Sequence, residues 1–251
     1  MSAEVLLSVR GRVAVVTLNR PQVRNALSGE ALKLLYERLD EAFGAPDVRA
    51  VVLTGAGPAF CAGDDLREAA GLDENAFAGT VESWQRITEV MLRSPVPVIA
   101  AINGPAIGGG LEITLACDVR VASSAAFFAC PEVSLGLTAT NGASVLLPAL
   151  IGMGRASEML IGGRRHDADW ALSAGLVSAV VAPNALEPHA MELAELIASH
   201  SPAAVRLTRD LLRSPSAPAL REALEQEANA CVTAFRSSDS ERWPITSNRT
   251  R

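Results

Sequence analysis

No C-x-x-C pair, no H-E-x-x-H pattern and no apolar run of membrane length occurs in this chain of 251 residues. Each absence removes a class of protein. Cys61, Cys117, Cys130 and Cys231 stand apart, three of them in apolar sequence, which fits free thiols in a reducing compartment better than a disulfide framework. His166, His189 and His200 lack the spacing of zinc ligands, so no metal is expected. Residues 1–10 hold no apolar core of an export signal, and nothing approaches the roughly 20 apolar residues of a spanning helix. A soluble cytoplasmic protein with no membrane partner is the expectation. Positive charge is short too: 22 Lys and Arg against 28 Asp and Glu give a formal net charge of −6, which argues against a nucleic-acid partner. Arg20, Arg24, Arg164 and Arg165 could still form a small positive patch for an anionic ligand, although scattered solvated charge is the plainer reading.

What is present is ordinary globular composition, 49% hydrophobic and 20% charged, enough to bury a full core. Residues 13–18 ("VAVVTL") read as a strand ended by the turn "NRPQ". Over residues 28–43 the period changes: Leu32, Leu35, Leu39 and Phe43 share one helical face, with Ser28 as N-cap. Residues 50–53 ("AVVL") and 98–102 ("VIAAI") are continuous apolar runs, as strands buried on both faces would be. Residues 67–94 read as a helix with Trp84, Ile87, Met91 and Leu92 inward, ended by Pro95 and Pro97. Short strands follow around Val119 and Val121, at 127–130 and at 177–181. From residue 186 onward the pattern is helical: 186–200, 202–212 and 217–233. This order implies an α/β core, residues 1–190, followed by a helical region, residues 191–251.

Two glycine-rich loops each follow a buried strand. The longer, "NGPAIGGGLEITLACD" at 103–118, fails as a phosphate loop. A dinucleotide fingerprint starting at Gly108 and Gly110 would need glycine where Ile113 stands, and a Walker loop from Gly104 and Gly109 meets Gly110 and Leu111 instead of Lys and Ser or Thr. No G-x-S-x-G is present for a serine hydrolase. What survives is a strand, a tight turn and a helix starting near Gly109, whose unpaired N–H groups face outward. The other loop, residues 61–65, also precedes a helix. Two such loops could each aim one N–H at a single oxygen, as in an oxyanion hole, or both could be plain turns. Glu112 in the first helical turn either complements the helix dipole or does chemistry. Glu132 lies between "AFFAC" and "VSLGL", where a partly desolvated carboxyl would exchange protons near neutrality.

Four blocks in order, "NRPQVRNAL", "VVLTGAGPAFCAGDDL", "PVIAAINGPAIGGGLEITLACDVRVAS" and "FFACPEVSLGL", resemble the crotonase family of enoyl-CoA hydratases and isomerases; "GRRHDADWALSAGLVSAVV" extends the likeness. The resemblance runs from about Val5 to Ser201. It implies a spiral of ββα turns with a helical C-terminal trimerisation region, assembling as a homotrimer or a dimer of trimers. It implies an acyl-CoA thioester substrate and no separate cofactor, coenzyme A being part of that substrate. Carried over by position, the N–H groups of Asp64 and Gly109 would hold the thioester oxygen. Glu112 and Glu132 would be the acid/base pair, Glu112 activating water and Glu132 delivering a proton at C2. Ala62, Gly63, Asp65, Gly108, Thr140, Gly142 and Arg24 would line the substrate site.

Both glutamates together favour reversible hydration of an enoyl-CoA, ahead of isomerisation or another dehydratase, hydrolase or lyase reaction of the family. An acyl-CoA-binding protein without catalysis is the competing non-enzymatic reading. The chain departs from the family pattern twice. Where the family has Pro-Gly-x-Gly-Gly-Thr, residues 139–144 read "ATNGAS", so Thr140 stands for a glycine and brings bulk and a hydroxyl toward the site. The family's last, basic helix is replaced by "SSDSERWPITSNRTR", in which Pro244 would break a helix.

Overall fold

Apolar residues in the strands run without alternation because both faces of the main sheet are covered. The structure is a computed structural model describing residues 3–213 and 217–237. Its strands are β1 (Val5–Arg10), β2 (Val13–Leu18), β3 (Ala50–Gly55), β4 (Val98–Ile102), β5 (Ala106–Ile107), β6 (Val119–Ser123), β7 (Phe127–Ala129), β8 (His166–Asp167) and β9 (Ala179–Val181). The helices are α1 (Gly29–Gly44), α2 (Leu66–Ala69), α3 (Glu74–Arg93), α4 (Gly109–Leu115), α5 (Ala143–Ile151), α6 (Met153–Gly162), α7 (Ala168–Ala174), α8 (Leu186–Ser199), α9 (Pro202–Arg213) and α10 (Ala217–Ser237). The main sheet runs β1-β2-β3-β4-β6-β9, antiparallel at its first pair and parallel thereafter. A small sheet, β5-β7-β8, lies beside it.

One face of the main sheet presents Val13, Val15, Ala50, Val52, Ile99, Ala101 and Val121 to Ala190, Ala194 and Ala198 of α8. Alanine at every fourth position of α8 leaves a smooth stripe that lies close on the strands. The opposite face, with Val16, Leu18, Val51, Leu53, Ala100 and Ile102, packs under Leu32, Leu35 and Leu39 of α1 and Trp84, Ile87 and Met91 of α3. Ser28 caps α1 by accepting from the N–H of Ala31 at 3.2 Å. The α/β class and these core positions follow the sequence pattern. The helix expected over 67–94 does not form as one piece: it breaks after α2 and restarts at α3, where Asp73 caps the new N-terminus by accepting from Ala76 at 2.9 Å. The first helix of the C-terminal run, α8, covers the sheet itself.

The last two helices reach back across the molecule. Arg209 of α9 is buried; it donates to Asp118 at 2.7 Å, to the carbonyl of Met91 at 2.6 Å and to that of Ser94. Helix α10 lies on α3 and α5, with Phe235 stacked on Phe77 at 4.2 Å between centroids and an interplanar angle of 9°. Cys61, Cys117, Cys130 and Cys231 are free and buried. Among the described residues no helix is long and apolar enough to cross a membrane. Of the "SSDSERWPITSNRTR" tail only Ser237, the last residue of α10, is described; the rest, Pro244 included, lies outside the described residues.

Candidate active site

The loops after β3 and β4 leave the carboxyl ends of adjacent parallel strands, where open α/β sheets form their crevices. They are tied together by main-chain contacts: the N–H of Ile107 donates to the carbonyl of Cys61 at 2.9 Å, and Cys61 bridges Ala106. Two asparagines hold their shape. Asn25, buried and at φ 57°, donates to the carbonyls of Ala56 and Ala59 at 2.9 and 2.8 Å. Asn103 donates to those of Gly57 and Ala59 at 2.9 and 3.0 Å and accepts from the N–H of Gly55 at 3.1 Å. These amides replace the sheet ladder that the loops lack, so the backbone between the strands stays satisfied.

The glycines of the second loop answer to close neighbours. Gly108 has φ 56°, and a Cβ there would stand 2.7 Å from a carboxyl oxygen of Glu132. At Gly109 a Cβ would meet the Trp84 ring at 2.8 Å. Glycine at 109 therefore makes room for an indole. The N–H of Gly109 is among the first of α4, which have no intrahelical acceptor.

A cavity of about 40 Å³ is lined by Asp64, Gly109, Glu112, Glu132 and Thr140, with Phe77, Thr80, Val81, Trp84, Leu137, Thr138 and Cys231 around them. Glu112, 1% exposed, is held by three donors: the N–H of Thr140 at 2.9 Å, the Thr140 hydroxyl at 3.0 Å and the Asn141 amide at 2.7 Å. Burial pushes its pKa well above the usual carboxylate range, and the charge of Glu132 pushes the same way. Glu132 comes from the single 3-10 turn after β7, Glu132–Leu135. Burial raises its carboxyl to about 7, with Asp64 adding repulsion, and its Oε2 has no hydrogen-bond partner among the described residues. Asp64 accepts from the Trp84 indole N–H at 2.6 Å; burial outweighs that bond and raises it to about 6. Paired carboxyls with unequal surroundings titrate apart, which yields one acid and one base in a single cleft.

The other residues expected at the site surround it. Gly63 and Ala62 are main-chain partners of the neighbouring turn, through Leu27 and Arg24 respectively. Asp65 caps α2 and pairs with Arg20 at 3.1 Å. The exposed Arg24 sits in a left-handed conformation with φ 55°. Gly108 backs onto Glu132, and Gly142, at φ 78°, starts α5. The Thr140 hydroxyl, expected to add bulk at the site, does line the cavity but is turned onto Glu112. Three partners were not read from sequence: Asn141, Glu227, and Trp84 as a donor. The only available signal was the departure at residues 139–144.

The fold and this pair of buried carboxyls define a class, and comparison with known proteins agrees with it. The profile described as enoyl-CoA hydratase/isomerase matches residues 9–246, and the chain belongs to that family, the crotonase family of the resemblance above. It is 39% identical over 239 residues to a short-chain-enoyl-CoA hydratase of Clostridium acetobutylicum, covering 94% of this chain and 90% of that protein. It is 43% identical over 206 residues to an (E)-benzylidenesuccinyl-CoA hydratase of Thauera aromatica, covering 82% and 80%. The crystal structure of an enoyl-CoA hydratase from Bacillus anthracis superposes with a TM-score of 0.83 at 38% identity, over 95% of this chain and 93% of that one.

Proposed function

We propose that this protein adds water reversibly across the 2,3 double bond of an enoyl-CoA thioester. The observation that carries the reading is the cavity in which Glu112 and Glu132 meet beside Gly109 and Asp64. In the hydration direction Glu112 takes a proton from water as its oxygen bonds to C3. The electron pair of the double bond moves toward the thioester, and the N–H groups of Asp64 and Gly109 hold the resulting enolate oxygen. Glu132 then delivers a proton to C2. Three donors on Glu112 fix its direction and offset part of the rise that burial and Glu132 impose on its pKa, as a base requires. A carboxyl near 7 with one free oxygen suits the proton donor. No metal or separate cofactor enters this scheme, and the assembly we propose with it is a homotrimer or a pair of trimers in the cytoplasm.

The test follows loss of the conjugated thioester absorbance of crotonyl-CoA with wild type, Glu112→Gln and Glu132→Gln. Each substitution is expected to lower kcat by roughly 10²–10⁴-fold, while binding of the saturated acyl-CoA persists. Conversion of a 3-enoyl-CoA alone would make the protein an isomerase. Tight acyl-CoA binding with no turnover across a panel of enoyl-CoAs would make it a binding protein.

A further inference from the structure

Glu227 lies on α10, at the other end of the chain from the glycine loops, yet its carboxylate reaches the catalytic neighbourhood. It is buried and accepts from the N–H of Gly142 at 2.7 Å and that of Ser144 at 2.8 Å. These N–H groups open α5, whose N-cap residue has no side chain to satisfy them. Residue 142 cannot supply one: its φ is 78°, and a Cβ there would meet the Leu220 side chain of α10 at 2.4 Å. The cap is therefore delivered from α10, where a carboxylate also complements the positive end of the helix. The turn it grips is the one that grips Glu112, since Thr140 and Asn141 supply all three donors to that carboxylate.

We propose that Glu227 is a positioning residue for Glu112, acting through the turn of residues 140–144 and tying the acid/base site to the docking of α10. The proposal rests on Glu112 being an acid/base group and adds the residue that sets its place. The charge of this cap has a further consequence: Glu227, like Glu132, repels the charge on Glu112. Several charged groups around α10 pair with one another instead. From α3, Glu89 pairs with Arg93 at 2.8 Å, and Glu74 pairs with Arg236. Helix α5 carries no charged side chain, and Arg221 of α10 lines a separate cavity with Glu89 and Arg93.

The experiment is a ¹³C NMR titration of the Glu112 carboxyl in the full chain, wild type against Glu227→Gln and Glu227→Asp, alongside steady-state crotonyl-CoA hydration. Glutamine keeps the volume but removes the charge and sets an amide against one of the two N–H groups. The Glu112 midpoint should then fall by about half a pH unit or more, because a repelling charge has gone. With it, kcat should drop about tenfold while KM stays within twofold, as expected for a misplaced base. Aspartate keeps the charge and shortens the reach, so kcat should fall with the midpoint near that of wild type. A melting temperature lowered in both variants, with midpoint and kcat unchanged, would reduce Glu227 to a structural cap and overturn the proposal. Should wild type hydrate no enoyl-CoA, the hydratase reading fails, and the Glu112 midpoint still decides the role of Glu227.

Discussion

Thr140 gives two donors to one carboxylate, and only one of them depends on its side chain. The N–H bond to Glu112 survives any substitution that keeps the turn, whereas the hydroxyl bond does not. Valine at 140 keeps the branched shape and deletes that second bond. A donor to the charged form lowers a carboxyl pKa, so its loss raises the pKa of Glu112. For Thr140→Val we expect the acid limb of the kcat–pH profile to move up by about one unit, opposite in sign to Glu227→Gln. An unmoved limb would mean that the hydroxyl does not bear on Glu112. Residues of this kind were only half legible. Glu112, Glu132, Asp64 and Gly109 stand in quotable motifs, and the fold brings them to one cavity. Trp84 and Asn141 act by one hydrogen bond each and Glu227 by two, all to groups remote in sequence, and no local pattern marks such a bond.

Between residue and whole, α3 and α10 form a wall of the cavity. Phe77 and Cys231 line it, and Phe235 backs Phe77 through a stacked contact at 4.2 Å. About 40 Å³ of the cavity stands open beside this wall. Removing the Phe77 ring should lengthen the acyl chain accepted: the ratio of kcat/KM for an eight-carbon to a four-carbon enoyl-CoA should rise about tenfold or more in Phe77→Ala. The same change opens a cavity in the wall, costing about 3–5 kcal/mol of stability, so rates are compared well below its Tm. A ratio unchanged from wild type would place the limit on chain length elsewhere. The elements themselves were legible where packing imposes a period. The parallel strands read as continuous apolar runs because helices cover both faces, and α1 read as a helix from its leucine spacing. The break between α2 and α3 did not, although Gly71 and the Asp73 cap mark it, because the apolar spacing further along α3 outweighed them. Strands of two residues, β5 and β8, exist only through their partners and carry no periodicity of their own.

Across the whole molecule, four partly or fully buried carboxyls are gathered in and around one cavity, and their cost falls on the stability of the fold. Burial raises Asp64 from 3.8 to about 6 and Glu132 from 4.5 to about 7, and it raises Glu112 and Glu227 as well. The unfolded chain releases the Asp64 and Glu132 protons near pH 4, whereas the folded chain keeps them until about pH 6 and 7, and it holds those of Glu112 and Glu227 above their ordinary range. Between those limits the folded state binds more protons, so this contribution to stability is present at low pH, is lost as pH rises through the folded values, and is level above them. His166 slopes the other way, because burial lowers its pKa and its charging opposes folding in acid. The difference between wild type and Glu132→Gln removes that background. Urea midpoints should coincide for the two proteins near pH 4 and separate as pH rises, with the glutamine variant the more stable by about 1–2 kcal/mol at pH 8. That figure is below the full shift because Glu132 keeps a partly solvated edge. A gap of the same size at both pH values would show that Glu132 loses its proton as readily in the folded chain as in the unfolded one. A gap that opens with pH would tie the loss of stability to the proton-exchanging carboxyl itself, the trade expected where a site is organised for reaction rather than for packing.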